Sequence, residues 1–496
     1  MKTNEATIED VARAVDGELG GDEPGALVRD VTHDSRQAGE GWLFAAVRGA
    51  NLDAHQFIPD VMRRGAIGVV SESGRPADFA GAWIRVKDVR RALALAAAEV
   101  HGHPSRALNL VGITGTNGKT TTAFLVAAMM KATGEEVALA STIEYRIGGE
   151  QVKAERTTPE ASDIERFLRR AVNAGCRVAV MEASSQALDL HRCDALRYRV
   201  AVFTNLTRDH LDYHGTMETY FAAKHKLFDG SLGEMPHTSV VNIDDEYGAR
   251  LAAELKERRV RVITYALDEE ADVSAHDIKF SLGGMQFNLR TSEGEQVVRS
   301  PLVGRPHVYN ILAAVATGLA LGFKVEGMKE AIERCAGAPG RFERVAHRGD
   351  FAVVVDYAHT DDALANVIKT ARDVTPGRIT TVFGCGGDRD RTKRAPMGEV
   401  AARLSDVVIV TSDNPRTEDP EAILADIEVG LRATDKPYRK IADRREAITL
   451  AIDEAQTGDM VLIAGKGHED YQIVGKDVIH FDDCDVALAA LAARGL

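Results

Sequence analysis

The sequence predicts an α/β protein of three domains: two parallel sheets, each covered by helices on both faces, and a smaller amino-terminal α/β unit. Three observations lead there. The chain has 496 residues, more than one hydrophobic core usually holds. Two breaks rich in Gly and Pro, His101-Gly-His-Pro-Ser-Arg106 and Cys335-Ala-Gly-Ala-Pro-Gly340, interrupt regular structure. They divide the chain into segments 1–105, 106–337 and 338–496, each of domain size. Between the breaks, short apolar runs alternate with helix-like stretches, the pattern of βαβ units.

In the middle segment, Leu108–Thr114, Val178–Glu182, Val200–Thr204 and Ser239–Ile243 read as buried strands. Thr122–Met130 and Ile311–Phe323 read as apolar helices, and Thr219–Phe228 as a further helix. In the third segment the strands are Phe351–Val355, Ile379–Phe383, Val407–Val410 and Met460–Ile463. The first segment mixes short strands and helical pieces with no clear period.

Composition narrows the function classes. Hydrophobic content of 45% and charged content of 27% are ordinary for a globular enzyme. A net charge of −14 argues against a nucleic-acid partner. The five cysteines are scattered and lack a C-x-x-C pair, so reduced thiols are expected and neither a disulfide framework nor a zinc site. Met1–Val15 is charged and lacks an apolar signal core, and no run reaches the length of a membrane span. A cytoplasmic protein without membrane insertion is therefore expected.

Each strand of the third segment runs straight into a polar loop: Asp356-Tyr-Ala-His359, Gly384-Cys-Gly-Gly-Asp-Arg389, Ser412-Asp-Asn-Pro-Arg416 and Gly465-Lys-Gly-His-Glu469. Parallel strands end on one edge, and ligands bind in the crevice outside it. The four loops are expected to converge on one small-molecule site, in a Rossmann-like domain.

In the middle segment, Val111-Gly-Ile-Thr-Gly-Thr-Asn-Gly-Lys-Thr-Thr121 lies between an apolar strand and an apolar helix. Backbone N–H groups of such a turn, opening on a helix N-terminus, cradle phosphate. This makes the central domain a P-loop-type nucleotide-binding domain with Gly115, Thr116, Asn117, Gly118, Lys119, Thr120 and Thr121 around the phosphates. Lys119 would reach the β- and γ-phosphates and the Thr120 hydroxyl would ligate Mg²⁺. The loop is a variant, since Ile113 stands where the usual pattern begins with Gly. Alone, it fits a motor, a kinase or a transporter subunit equally well.

The remaining motifs resemble the ATP-dependent Mur ligases along nearly the whole chain. They are His33-Asp-Ser-Arg36, Leu43-Phe-Ala-Ala-Val47, Thr157-Thr-Pro159, Glu182-Ala-Ser-Ser185, Thr204–His214, Tyr220-Phe-Ala-Ala-Lys224, Gly340-Arg-Phe-Glu343, Asp356–His359, Asp413-Asn-Pro-Arg416 and Gly465–Glu469. The resemblance implies an amide ligase in which a substrate carboxylate is phosphorylated by ATP to an acyl phosphate, and an amine then displaces phosphate. It is strongest to members that add the third amino acid of the peptidoglycan precursor. That implies UDP-N-acetylmuramoyl-L-alanyl-D-glutamate and meso-diaminopimelate as substrates, ATP and Mg²⁺ as cofactors, and a monomer.

The same resemblance implies residue roles. Glu182 and His210 become metal ligands, and Lys224 a third once carbamylated. On the residues alone, Lys224 reads as a solvated lysine on a helix. Asn310, His359 and Arg341 become nucleotide contacts, with Arg341 on γ-phosphate charge, and Asp356 lies near the adenine or ribose. Ser35, next to Arg36, belongs to the uridine site; Thr157, Thr158, Ser184 and Arg192 belong to the sugar-peptide. Here the chain departs from the family: Gln186 stands where His is usual and Leu190 where Gln is usual.

Asp413, Asn414, Pro415 and Arg416 carry the amino-acid choice. Diaminopimelate has a distal carboxylate that lysine lacks, and Arg416 can pair with it through two parallel hydrogen bonds. Lysine would leave Arg416 unpaired. Arg389 is a second carboxylate partner, Glu469 suits an ammonium, and Gly465 opens the last loop. The competing readings are a lysine-adding Mur ligase, a folylpolyglutamate synthetase-like ligase, and a nucleotide-binding scaffold without catalysis.

Overall fold

The computed structural model describes residues 5–21, 23–49, 52–434 and 436–496. The start of the charged Met1–Val15 segment, residues 1–4, lies outside them. Among the described residues no helix is long and apolar enough to cross a membrane.

Three large sheets follow one another along the described residues, with a two-stranded hairpin, Tyr471–Val474 and Asp477–His480, after them. The first has five strands between Glu18 and Arg85, four of them parallel and Glu18–Gly20 antiparallel at the edge. Helix Val89–Val100 packs on it, with Asp88 capping the helix by accepting from the Arg90 and Arg91 amides. This region is the small α/β unit expected, although its individual strands, only three or four residues long, are not readable in the sequence.

The central sheet has eleven strands. Val137–Ala140, Val178–Glu182, Asn109–Thr114, Val200–Phe203, Thr238–Asn242, Val262–Ala266 and Val273–Ser281 lie side by side in that order, all parallel. Purely parallel pairing, expected from the apolar runs, holds only for these seven strands. Glu144–Ile147 and Glu150–Lys153 extend one edge as an antiparallel hairpin, and Gly284–Thr291 and Gly294–Ser300 extend the other. Gly284–Thr291 and Gly294–Ser300 mix buried with more exposed residues, because only one face is covered, and Glu150–Lys153 is exposed throughout.

Helices Lys119–Ala132 and Arg305–Ala320 fill one face of the central sheet. The second begins six residues before the apolar run Ile311–Phe323 and ends three residues before its end. Pro306 in its first turn supplies a suitable start, where a missing N–H costs nothing.

The third sheet has six strands, with Ala352–Asp356, Met460–Ala464, Ile379–Phe383, Val407–Val410 and Tyr438–Lys440 parallel in that order. In the central sheet the chain reverses its direction of travel beside Asn109–Thr114, and the loop after that strand lies at the reversal, where a crevice forms. In the third sheet Met460–Ala464 returns to lie between Ala352–Asp356 and Ile379–Phe383.

Side-chain bonds join the domains. Asn117 Nδ2 donates to Asp362 at 3.0 Å, and Arg208 pairs with Asp361 at 3.1 Å. On the amino-terminal side, Arg166 pairs with Asp30 at 2.7 Å and donates to the Val31 carbonyl, while Arg169 grips the His101 carbonyl.

Candidate active site

A cleft of about 300 Å³ opens between the central and third domains. The phosphate-loop residues Thr116 to Thr121, with Thr157, Glu182, Ser184, His210, Asn310, Arg341, Asp356 and His359, all line it.

The loop keeps the geometry of an anion cradle. Gly115 and Gly118 have φ of +147° and +85°, conformations that side-chain-bearing residues rarely adopt. A Cβ on Gly115 would lie 1.9 Å from Thr204 Oγ1, and one on Gly118 2.5 Å from Asn310 Oδ1. Lys119 opens the following helix, and its Nζ donates to the Gly115 and Thr116 carbonyls at 2.8 Å each. Burial lowers the Lys119 pKa and Arg341 adds to this, against the pull of Glu182 and Asp209. The Nε of Arg341 is buried without a partner, and its guanidinium stands 4.6 Å from the Tyr357 ring centroid. An orphan donor and a buried cation beside a helix N-terminus suit a phosphorylated ligand.

Glu182 ends its strand fully buried. It accepts from Thr120 Oγ1 at 3.1 Å, from the Thr142 amide at 2.7 Å and from Thr142 Oγ1 at 3.1 Å. Among the described residues no group of three or more His, Cys, Asp or Glu could hold a metal alone. The donor set of one carboxylate and one hydroxyl fits Mg²⁺, which keeps several waters and shares phosphate oxygens.

His210 sits at φ +51°, capping the short helix Leu211–His214. Burial lowers its pKa, opposed by Asp209. Burial would raise Asp209, but His210, His359 and Lys393 together hold its carboxyl below the usual range.

Lys224 is not solvated, contrary to its reading as a lone helical lysine. It is 1% exposed on helix Met217–Asp229, with Nζ donating to the Gly115 carbonyl at 2.8 Å and 4.5 Å from the Tyr220 ring centroid. Burial, reinforced by Lys119, holds its pKa well below the ordinary lysine value.

The sugar-peptide candidates form one hydrogen-bonded strip. Thr158 Oγ1 donates to the Glu182 carbonyl at 2.8 Å and accepts from the Ser184 amide at 3.0 Å; Thr157 Oγ1 accepts from Thr142. Arg192 pairs with Glu160 at 2.9 Å and donates to the Thr158 carbonyl, leaving its buried Nε without a partner. Ser35 lies apart, in the turn after the first domain's Asp30–Thr32 strand, where Arg64 grips its carbonyl. Gln186 and Leu190 lie on and just after helix Ser185–Asp189.

Asp356 does not present a free carboxylate to the cleft: its oxygens accept from the Phe342 and Ala358 amides at 2.7 Å each. His307 and His359 are pushed down to about 4 by burial, so both are neutral at pH 7.

The amino-acid candidates cluster on the carboxyl edge of the third sheet. Asn414 Nδ2 donates to Glu469 at 2.8 Å, and Asn414 Oδ1 accepts from the Ile473 amide. Arg416 donates Nη1 to the Gly387 carbonyl at 2.8 Å and to Asn414 O at 3.4 Å, and the rest of its guanidinium has no hydrogen-bond partner among the described residues. Arg389 is exposed, with Nη1 bonded to the Asp388 carbonyl. A Cβ on Gly465 would stand 2.8 Å from Asp413 Oδ2, and Pro415 is buried beneath. Burial and Asp413 raise the Glu469 pKa.

Sequence reasoning missed four residues at the site. Tyr357 reaches Glu469 through its hydroxyl at 3.5 Å and stacks near Arg341, so it joins the phosphate cleft to the amino-acid loops. Thr142 holds Glu182, His307 lines the cleft, and Lys393 stands close enough to shift Asp209 and His359. Thr142 follows strand Val137–Ala140, so the rule that sites gather at strand C-termini would have found it.

Comparison with known proteins agrees with this geometry. Residues 113–318 match the Mur ligase middle domain and residues 340–467 the Mur ligase glutamate ligase domain. A UDP-N-acetylmuramoyl-L-alanyl-D-glutamate–2,6-diaminopimelate ligase of Solibacter usitatus is 48% identical over 94% of both chains. One of the same name from Geobacter metallireducens is 45% identical over 98% of this chain and 99% of its own. A solved structure of a ligase of that name superposes with a TM-score of 0.71 at 33% identity, covering 99% of this chain and all of that one. A folylpolyglutamate synthase of Mycobacterium tuberculosis shares the fold, with a TM-score of 0.62 at 18% identity over 82% of this chain and 95% of its own. With relatives this similar along nearly its whole length, the chain belongs to the Mur ligase family.

Proposed function

We propose that this chain is an ATP-dependent, ADP-forming ligase that joins meso-2,6-diaminopimelate to the D-glutamate of UDP-N-acetylmuramoyl-L-alanyl-D-glutamate, in the cytoplasm, during peptidoglycan precursor synthesis. The observation that carries this reading is Tyr357, through which the phosphate cleft runs on to the loops bearing Asn414, Arg416 and Glu469. A carboxylate activated at one end can meet an amine held at the other.

Bound Mg²⁺ and ATP would supply the phosphoryl group that makes the glutamate carboxylate a competent electrophile. The chain's own groups position and screen. Lys119, the loop amides and Arg341 take up negative charge that grows on the transferred group. Thr120 and Glu182 would hold one Mg²⁺; His210 and a carbamylated Lys224 would hold a second. Asn310 and the neutral His359 flank the nucleotide. Ser35 serves the uridine end, and Thr157, Thr158, Ser184 and Arg192 hold the peptide. Arg192 is already engaged by Glu160 and the Thr158 carbonyl, which supports its orientation without the family's usual Gln at position 190.

Diaminopimelate is favoured over lysine by the unpaired edge of Arg416, with Arg389 beside it and Glu469 for an ammonium. A distal carboxylate satisfies that edge of the half-buried guanidinium; a lone ammonium offers it no acceptor.

Phosphate release with the UDP-dipeptide, comparing the two amino acids, tests the reading. Turnover is expected with diaminopimelate and not with L-lysine, and Arg416→Ala should lower kcat/KM for diaminopimelate by about a hundredfold. Preference for lysine would overturn the selectivity assignment, and no turnover with either would overturn the ligase assignment.

A further inference from the structure

We propose that Arg394 and Glu418 are positioning residues for amino-acid selection: their ion pair clasps the Gly384–Arg389 loop to the Asp413–Arg416 loop, so that the two recognition arginines are presented together. The inference rests on the assignment of those loops to the incoming amino acid.

Arg394 begins helix Arg394–Leu404 and is 1% exposed, among the largest fully buried side chains of the protein. Its Nη2 donates to Glu418 Oε1 at 2.9 Å and to the Gly386 carbonyl at 3.3 Å. Its Nη1 donates to Glu418 Oε2 at 3.1 Å and to Asp426 at 2.9 Å. Glu418 in turn accepts from the Asp388 amide at 2.6 Å and from Arg391 at 2.8 Å. The hydrogen bonds from Arg394 hold the Glu418 carboxyl down at about 2, so it is ionised across the working range.

The two loops then meet as closely as backbones can. A Cβ on Gly387 would lie 1.9 Å from the Pro415 carbonyl oxygen, and one on Gly386 would lie 2.9 Å from Arg416 Nη1. The Gly387 amide donates to Asn414 O, and Arg416 donates back to Gly387 O. Thr417 Oγ1 closes the clasp on Asp388 at 2.9 Å.

Arg416 needs such support because its φ is +52°, a region costly for a side-chain-bearing residue. Bonds to Ile473 O and from Gly475 N hold it on one side, and the Gly386–Asp388 loop holds it on the other. Arg394 touches no position where substrate would sit. A buried, bidentate arginine here acts through the loop it anchors. The pair also gives the first loop a fixed anionic partner among Arg389, Arg391, Arg394 and Arg416, which would otherwise repel one another.

The test is steady-state kinetics of the full-length Glu418→Gln protein with ATP, Mg²⁺ and the UDP-dipeptide. The KM for diaminopimelate is expected to rise at least tenfold while the KM values for ATP and the UDP-dipeptide stay within twofold and kcat within threefold. Arg391→Ala, which removes the exposed partner of Glu418, should leave all three KM values unchanged. If Glu418→Gln does not fold, Thr417→Val breaks the same clasp from the surface and should raise the same KM alone. An unchanged KM for diaminopimelate, or a parallel rise in all three, overturns the positioning role. Failure of the unsubstituted protein to use diaminopimelate instead overturns the assignment beneath it.

Discussion

Lys224→Ala is expected to lower the rate of phosphate release about a thousandfold or more, equivalent to about 4 kcal/mol of lost transition-state stabilisation. The reason lies in where the lysine sits. It is buried under the phosphate loop with no carboxylate among the described residues in contact, and it donates to the Gly115 carbonyl, which Lys119 already satisfies at 2.8 Å. A second cation so close to Lys119 adds little to phosphate binding and is costly to desolvate. An amine whose pKa burial lowers can instead add to CO₂, losing one proton and gaining a carbamate close to His210 and Lys119. Because Lys119 keeps the Gly115 carbonyl bonded, the alanine variant should fold. Protein equilibrated with ¹³C-bicarbonate should show a carbamate carbon resonance that Lys224→Ala lacks. Activity within tenfold of the unsubstituted protein would remove Lys224 from the chemistry. Lost activity without the resonance would reassign it to bracing the loop.

How much of this was legible depends on whether a residue's role is local. Parallel strands such as Val178–Glu182 and Met460–Ala464 could be read because both their faces are covered and their runs are continuously apolar, whereas Val137–Ala140, Val262–Ala266, Val273–Ser281 and Tyr438–Lys440 went unread. The loops after those strands could be placed together because parallel strands end on one edge. The antiparallel additions, such as Gly284–Thr291, were missed because alternating, half-exposed strands look unlike the buried ones. The burial of Lys224 was illegible because its neighbours on helix Met217–Asp229 mix polar and apolar residues, and the phosphate loop that meets its amine lies more than a hundred positions earlier. Arg394 and Glu418 stand apart in sequence with nothing to link them until the two loops meet. Asp356 lines the cleft as its strand-end place suggests, but the sequence does not show that its carboxylate accepts from two backbone amides.

The same dependence on distant packing makes Glu165 the site of the largest expected stability effect. It lies on helix Ala161–Asn173, 2% exposed, and neither of its carboxylate oxygens has a hydrogen-bond partner. Burial raises its pKa to about 8, and Arg169, occupied with the His101 carbonyl, offsets this only in part. Below the unfolded-state value near 4.5, both folded and unfolded chains carry the proton and Glu165 costs nothing in ionisation. As the pH rises toward 8 the unfolded chain releases its proton and the folded one does not, so stability falls by about 1.4 kcal/mol per unit, roughly 3 kcal/mol by pH 7. Glu165→Gln removes the ionisation while keeping the shape. It should therefore raise the urea midpoint for unfolding of the central domain at pH 8 and leave it nearly unchanged at pH 4.5. The neighbouring turns of this helix carry Arg166 and Arg169, which hold the amino-terminal domain through Asp30, Val31 and His101. Loosening of that contact in the unsubstituted protein should follow the same pH course. A midpoint difference of equal size at both pH values would mean that Glu165 is ionised or solvated in the folded protein, and the buried-carboxyl account would be wrong.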